Sequence, residues 1–93
     1  MERKEFMSID QQDFITRIRG FVADLRGVDE SHLEVGLDSD LRNDLDVDSL
    51  SSVELALQLD EWYSVELEDA DVFEAATVGD LHAVVQSAAS TND

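Results

Sequence analysis

Residues 44–63 read Asp44-Leu45-Asp46-Val47-Asp48-Ser49-Leu50-Ser51-Ser52-Val53-Glu54-Leu55-Ala56-Leu57-Gln58-Leu59-Asp60-Glu61-Trp62-Tyr63. The spacing predicts a helix from Asp48 or Ser49 to about Tyr63. At about 100° per residue from Leu50, this helix sets Leu50, Val53, Glu54, Leu57 and Glu61 within about 60° of one line, with Ser52, Leu55, Leu59, Trp62 and Tyr63 opposite. Leu55, Leu59 and Tyr63, with Trp62 beside them, form the stripe that a bundle helix turns to its core. The other stripe mixes leucine and valine with carboxylates. That mixture suits a surface docked by a partner, apolar contacts giving affinity and acids giving steering and register. Packing of Leu50, Val53 and Leu57 against a loop or a neighbouring helix accounts for it equally well.

Working outward, Phe14, Ile15, Ile18, Phe21, Val22 and Leu25 recur at helical spacing, with Ser8 and Asp10 as candidate caps and Gly27 as the stop. Between the two helices, residues 28–45 are rich in Asp, Ser and Gly and lack a period. They read as a long loop pinned by Leu33, Val35, Leu37, Leu41 and Leu45. After a link through Val65 and Leu67, residues 69–75 suffice for one or two turns. Thr77 with Asp80 three residues on resembles a capping box. It opens a last helix with an apolar stripe of Val78, Leu81, Val84, Val85 and Ala88. No segment alternates with period two for long enough to demand a sheet. The expectation is an all-α fold, a small four-helix bundle of three main helices and one short one. The whole chain, residues 1–93, forms one domain in this reading, with residues 1–8 and 90–93 as flexible ends.

The chain has 93 residues, 23 acidic against 6 basic, a formal charge of −17, no cysteine and no proline. That length supports a single core, because the usual domain is about 100 to 150 residues. Without cysteine there is no disulfide and no thiolate metal site. No apolar run approaches the roughly 20 residues that span a bilayer, and the N-terminus lacks the apolar segment of a signal peptide. A cytoplasmic, membrane-free, monomeric protein is expected. From Asp29 to Asp80 stand 17 acids and one base, Arg42, whereas residues 1–28 carry five of each. So negative a surface repels nucleic acid and draws basic protein patches or cations, although acidic surfaces also serve solubility alone. Self-repulsion at this charge predicts a melting temperature that rises with salt or divalent cations.

Ser49 stands where a helix N-cap is expected, and capping is the commoner task of such a serine. As a modification site it would place a phosphodiester oxygen where free backbone N–H groups and the positive helix end favour negative charge. The run Asp44 to Leu50, followed by Val53-Glu54-Leu55, resembles the modification motif and second helix of acyl carrier proteins. The likeness extends from Leu41 through about Val85, including Asp60-Glu61, Tyr63, Val65-Glu66-Leu67 and Thr77-Val78, whereas helix one matches only in pattern. A tripeptide Asp-Ser-Leu alone is a weak signal. At the start of a helix with Val-Glu-Leu four residues after the serine, in a chain this short and acidic, it is strong.

The resemblance implies that a carrier-protein transferase adds 4′-phosphopantetheine to Ser49 from coenzyme A, and that the arm's thiol holds acyl groups as thioesters. It implies that Asp48 helps the transferase position its metal and substrate. By the same resemblance Leu50, Val53, Glu54, Leu57 and Glu61 form the docking face for acyl-loading, ketosynthase or acyltransferase-type enzymes with basic patches. Leu55, Leu59 and Val78 would line an acyl cavity as well as the core. A chain free of cysteine offers no competing thiol. Two departures from the family pattern stand out. Asp46 occupies a position where glycine is common, so the turn before Ser49 is made without glycine's freedom at positive φ. Trp62 replaces a residue that is often acidic or polar. The paired glycines frequent before the serine of peptidyl carriers are missing, which favours acyl over aminoacyl cargo. A Met-initiated chain of this length suggests a free-standing carrier. Its departures favour polyketide or other specialised biosynthesis, with fatty acid synthesis and a peptidyl or aminoacyl carrier as alternatives.

Two readings come from other classes. Asp44, Asp46 and Asp48 fall at positions one, three and five of an EF-hand loop, but Ser49 stands in place of the sixth-position glycine and Leu55 in place of the twelfth-position glutamate. No metal site is therefore expected. An acidic interaction protein that mimics DNA explains the charge but gives Ser49 and the apolar stripe no purpose. His32 and His82 read as solvated surface residues, and no catalytic constellation is visible, so no enzyme activity is expected.

Overall fold

The computed structural model describes residues 9–90, and side chains up to residue 89. Among these residues four α-helices follow one another: α1 (Gln11–Arg26), α2 (Ser49–Tyr63), α3 (Asp69–Glu74) and α4 (Val78–Ser90), with a 3-10 turn (Glu30–His32) in the long loop. Among the described residues there is no β-strand, only an isolated bridge between Asp40 and Thr77. The protein is an all-α bundle. Ser8 and residues 1–7 and 91–93 lie outside the described residues. Ser90, expected in a tail, is the last residue of α4.

Each helix starts and stops for a local reason. Asp10 caps α1 by accepting the Asp13 N–H at 2.8 Å. Gly27 ends it at φ 69°, where the N–H groups of Gly27 and Val28 donate to the carbonyls of Asp24 and Ala23. That pairing is a Schellman motif, which glycine enters at no Cβ cost. In α4, Thr77 Oγ1 accepts the Asp80 N–H at 3.1 Å while Asp80 Oδ2 accepts the Thr77 N–H at 3.3 Å, a reciprocal capping box.

The core is one cluster in which Phe14, Ile18, Val22, Leu55, Leu59, Val78, Leu81 and Val85 are fully buried. Helix α3 packs on α2, and α4 touches the other three. Phe14 meets Tyr63 with ring centres 6.0 Å apart. Leu25, expected in the α1 stripe, is instead 37% exposed, one residue before the helix end where the chain leaves the core. Val84 is only half-buried and lies with Leu67 and Ala88 around a shallow surface depression. His82 is not a solvated surface residue. Its Nε2 lies 2.8 Å from the Ile9 carbonyl and its ring stands edge-on to Phe14, while Gln86 Oε1 accepts the Ile9 N–H at 2.8 Å. Together these fasten the start of the described chain to α4.

The long loop is fixed by backbone bonds to the start of α4. Val78 and Gly79 donate their N–H groups to the carbonyls of Ser39 and Leu37, and Leu41 donates to the Ala76 carbonyl. Loop carbonyls thereby satisfy donors that a helix start leaves without intrahelical partners. A side chain at Gly79 would meet Leu37 O at 3.1 Å, so the close approach suits glycine.

Candidate functional site

Ser49 owes its position to the turn at residues 40–48. Asp40 Oδ1 accepts the N–H groups of Arg42 and Asn43, the Asp40 carbonyl accepts those of Asp44 and Leu45, and Asp44 Oδ2 accepts the Asp40 N–H at 2.8 Å. Leu41, Leu45 and Val47 anchor this turn in the core. Asp46 between them adopts φ 62°. The left-handed conformation is made by aspartate, one of the side chains that tolerates it best. Arg26, in the last turn of α1, reaches the Asp44 carbonyl at 3.5 Å and the Asp46 carboxylate at 3.8 Å.

The capping task falls to Asp48 and not to Ser49. Asp48 Oδ1 accepts the Ser51 N–H at 2.9 Å, and Ser49 is the first residue of α2. The Ser49 side chain is exposed, and its hydroxyl has no hydrogen-bond partner among the described residues. Bonds from backbone N–H groups, the Ser51 N–H first, hold the Asp48 carboxyl below the usual carboxylate range, so it is ionised at neutral pH. Ser49 opens onto a depression of about 460 Å³ lined by Arg42, Asp46, Val47, Asp48 and Phe73 as well.

Along α2 the two stripes separate cleanly. Leu50 is 74% exposed, Leu57 63% and Val53 37%, and Glu54 and Glu61 are exposed beside them. These three apolar residues do not pack into the bundle. Leu55, Leu59 and Val78 are brought together in the core with no exposed surface, and none of them lines the depression beside Ser49. Trp62 is half-buried and edge-on to Tyr63, and the Arg17 guanidinium lies 5.6 Å and 5.7 Å from the two ring centres.

Asp44, Asp46 and Asp48 do not converge as calcium-loop ligands would. Asp44 closes the 40–44 turn, Asp46 leans to Arg26 and Asp48 caps α2. Among the described residues no group of three or more His, Asp or Glu side chains could hold a metal ion.

The chain is thus a short helical bundle with an exposed serine at the start of its second helix. Residues 16–85 match the family described as phosphopantetheine attachment site, and the chain belongs to that family. It is 38% identical over 80 residues to an acyl carrier protein of Rhodococcus erythropolis, covering 86% of each chain. It is 35% identical over 86 residues to a meromycolate extension acyl carrier protein of Mycolicibacterium aurum, covering 92% of this chain and 87% of that one. The corresponding protein of Mycolicibacterium smegmatis is 34% identical over 86 residues, with 92% and 85% covered. This protein is accordingly a carrier of acyl groups on 4′-phosphopantetheine. An exposed hydroxyl with no partner, beside an open depression, is compatible with that group. Among the described residues no helix is long and apolar enough to cross a membrane.

Proposed function

We propose that Ser49 is the attachment point, and that the chain carries acyl intermediates of a fatty acid or specialised lipid or polyketide route. The observation that supports this is the division of labour at the start of α2, where Asp48 caps the helix and leaves the Ser49 hydroxyl free. In the modification, Ser49 Oγ bonds to the phosphorus that bears pantetheine as the coenzyme A pyrophosphate link breaks and adenosine 3′,5′-bisphosphate leaves. The serine proton passes to a base of the transferase. Once attached, the group supplies a terminal thiol that holds acyl groups as thioesters. In this reading Asp48, which is exposed and ionised, helps the transferase position its metal and substrate. Leu50, Val53, Glu54, Leu57 and Glu61 form the docking face for basic patches on the transferase and on acyl-loading, ketosynthase or acyltransferase-type enzymes. An apolar cargo that enters the bundle parts Leu55, Leu59 and Val78, which close on one another without it.

In this reading residues 1–93 are one carrier domain, monomeric and cytoplasmic, without turnover of its own. The relatives named for meromycolate extension favour long-chain lipid synthesis over a peptidyl or aminoacyl route. Intact mass after incubation with coenzyme A and a broad-specificity transferase tests the attachment. The wild-type chain gains one phosphopantetheine and Ser49→Ala gains none; the same gain in Ser49→Ala refutes the assignment.

A further inference from the structure

Arg42 is the single base among 17 acids between residues 29 and 80, and its side chain is held in place rather than left in solvent. Its Nη1 donates to the Phe73 carbonyl at 2.7 Å and its Nη2 reaches the Ala75 carbonyl at 3.5 Å. The guanidinium carbon lies 4.5 Å from the centre of the Phe73 ring, a side chain that is itself 40% exposed. Stacking on an aromatic face together with edge-on bonds to carbonyls is a geometry that a planar guanidinium makes and an ammonium does not. Among the described residues no carboxylate comes within 4.0 Å of it, the Asp40 carboxylate feeling its charge from farther off. Arg42 and Phe73 line the same depression as Ser49.

We propose that Arg42 is the counter-ion of the phosphodiester that joins the pantetheine arm to Ser49, held ready for it by the Phe73 ring. This rests on Ser49 being the attachment point. Modification brings a full negative charge to a wall that already holds the Asp46 and Asp48 carboxylates, in a stretch of net charge −16. The start of α2 cannot meet that charge with all its donors, because Asp48 Oδ1 occupies the Ser51 N–H and the Asp48 carbonyl occupies that of Ser52. A guanidinium has five N–H donors. Two of its nitrogens are turned to α3, and the rest of the fork remains for a phosphate, whose oxygens it fits in a charge-assisted pair. As a plain staple between loop and α3, Arg42 would need only its carbonyl bonds. Its opening onto the Ser49 depression is what the phosphodiester explains. Phe73 has a role in this arrangement as well: by covering one face of the guanidinium it limits the rotamers lost on pairing.

The experiment compares apo and holo forms of the wild-type chain, Arg42→Lys, Arg42→Gln and Phe73→Ala. Intact mass verifies loading, with Ser49→Ala as the control. The readouts are the Arg42 Nε–H resonance in ¹⁵N-labelled protein and the ³¹P resonance of the phosphodiester, each at low and high salt. In the wild type the Arg42 resonance should move between apo and holo, and the change should shrink as salt screens the pair. The ³¹P resonance should shift in Arg42→Gln, with Arg42→Lys and Phe73→Ala between it and the wild type. An Arg42 resonance that is the same in fully loaded and apo wild type overturns the counter-ion role and leaves Ser49 untouched. This arm needs no variant to fold. A wild-type chain that gains no mass, or a Ser49→Ala chain that gains it, overturns the attachment point itself and the counter-ion with it.

Discussion

Asp48 Oδ1 accepts the Ser51 N–H at 2.9 Å, so the residue before Ser49, the proposed attachment point, is the cap of α2. Structure and modification can be separated by substitution. Asp48→Ala removes the cap and should cost about 0.5–2 kcal/mol, whereas Asp48→Asn keeps an acceptor and should cost only a few tenths. Urea titration measures both. If the carboxylate charge also serves the transferase, Asp48→Asn should be modified far more slowly while remaining as stable as the wild type. Equal modification rates would assign Asp48 to capping alone.

At Asp46 the left-handed backbone should make glycine welcome and a β-branched residue costly. Asp46→Gly should leave stability unchanged or raise it by up to about 1 kcal/mol, the relief at positive φ being set against the greater entropy of an unfolded glycine. Asp46→Val should lose about 1–2 kcal/mol. The exposed contact to Arg26 at 3.8 Å contributes little to either number. Thermal melts of the two variants give the order, and a Val variant as stable as the Gly variant would mean that the turn does not hold this conformation in solution.

The two faces of α2 should respond oppositely to truncation. Leu55→Ala or Leu59→Ala, at positions with no exposed surface, should cost about 2–5 kcal/mol. Leu57→Ala, at a position 63% exposed, should stay within about 0.5 kcal/mol of the wild type. Its effect should appear instead as a lower kcat/KM for a transferase or other partner enzyme acting on this chain. A Leu57→Ala variant that melts early but is modified normally would return the residue to the fold.

Stability should fall at both ends of the pH scale for identifiable reasons. Burial, reinforced by the Asp13 charge, pushes the Tyr63 phenol up to about 12, and its hydroxyl donates to Asp13 Oδ2 at 3.3 Å. The folded value lies above the unfolded one, so this contribution is complete below about pH 10 and is lost as pH rises from 10 to 12, on the order of 2 kcal/mol in all. At the acid end, backbone N–H bonds hold Asp40 and Asp48 below the ordinary 3.8. Their contribution is present above that value and disappears as pH falls through the lower folded values. Denaturant midpoints across pH should show both limbs, with the alkaline limb missing in Tyr63→Phe.

A formal charge of −17 on 93 residues should make the melting temperature climb with ionic strength and more steeply with magnesium. Calorimetry from low salt to about 0.5 M, where the screening length is only a few ångströms, tests this. A flat response would show that the carboxylates are spaced widely enough not to strain the fold.

The sequence by itself determined the helices, the caps of α1 and α4 and the two stripes of α2. Phe14, Ile18, Val22, Leu55, Leu59 and Val85 repeat with the helical period, and Gly27 and the Thr77–Asp80 pair punctuate the chain through contacts a few residues apart. Such signals are local, and a single helix is enough to express them. Only the tertiary structure decided how residues 28–48 are held, that Asp48 rather than Ser49 caps α2, that Leu25 lies outside the core, and that His82 and Gln86 bind Ile9. It also set Arg42 against Phe73 beside Ser49. Most of these contacts join residues tens of positions apart through backbone donors and acceptors, which every residue except proline carries alike, so no residue type announces them.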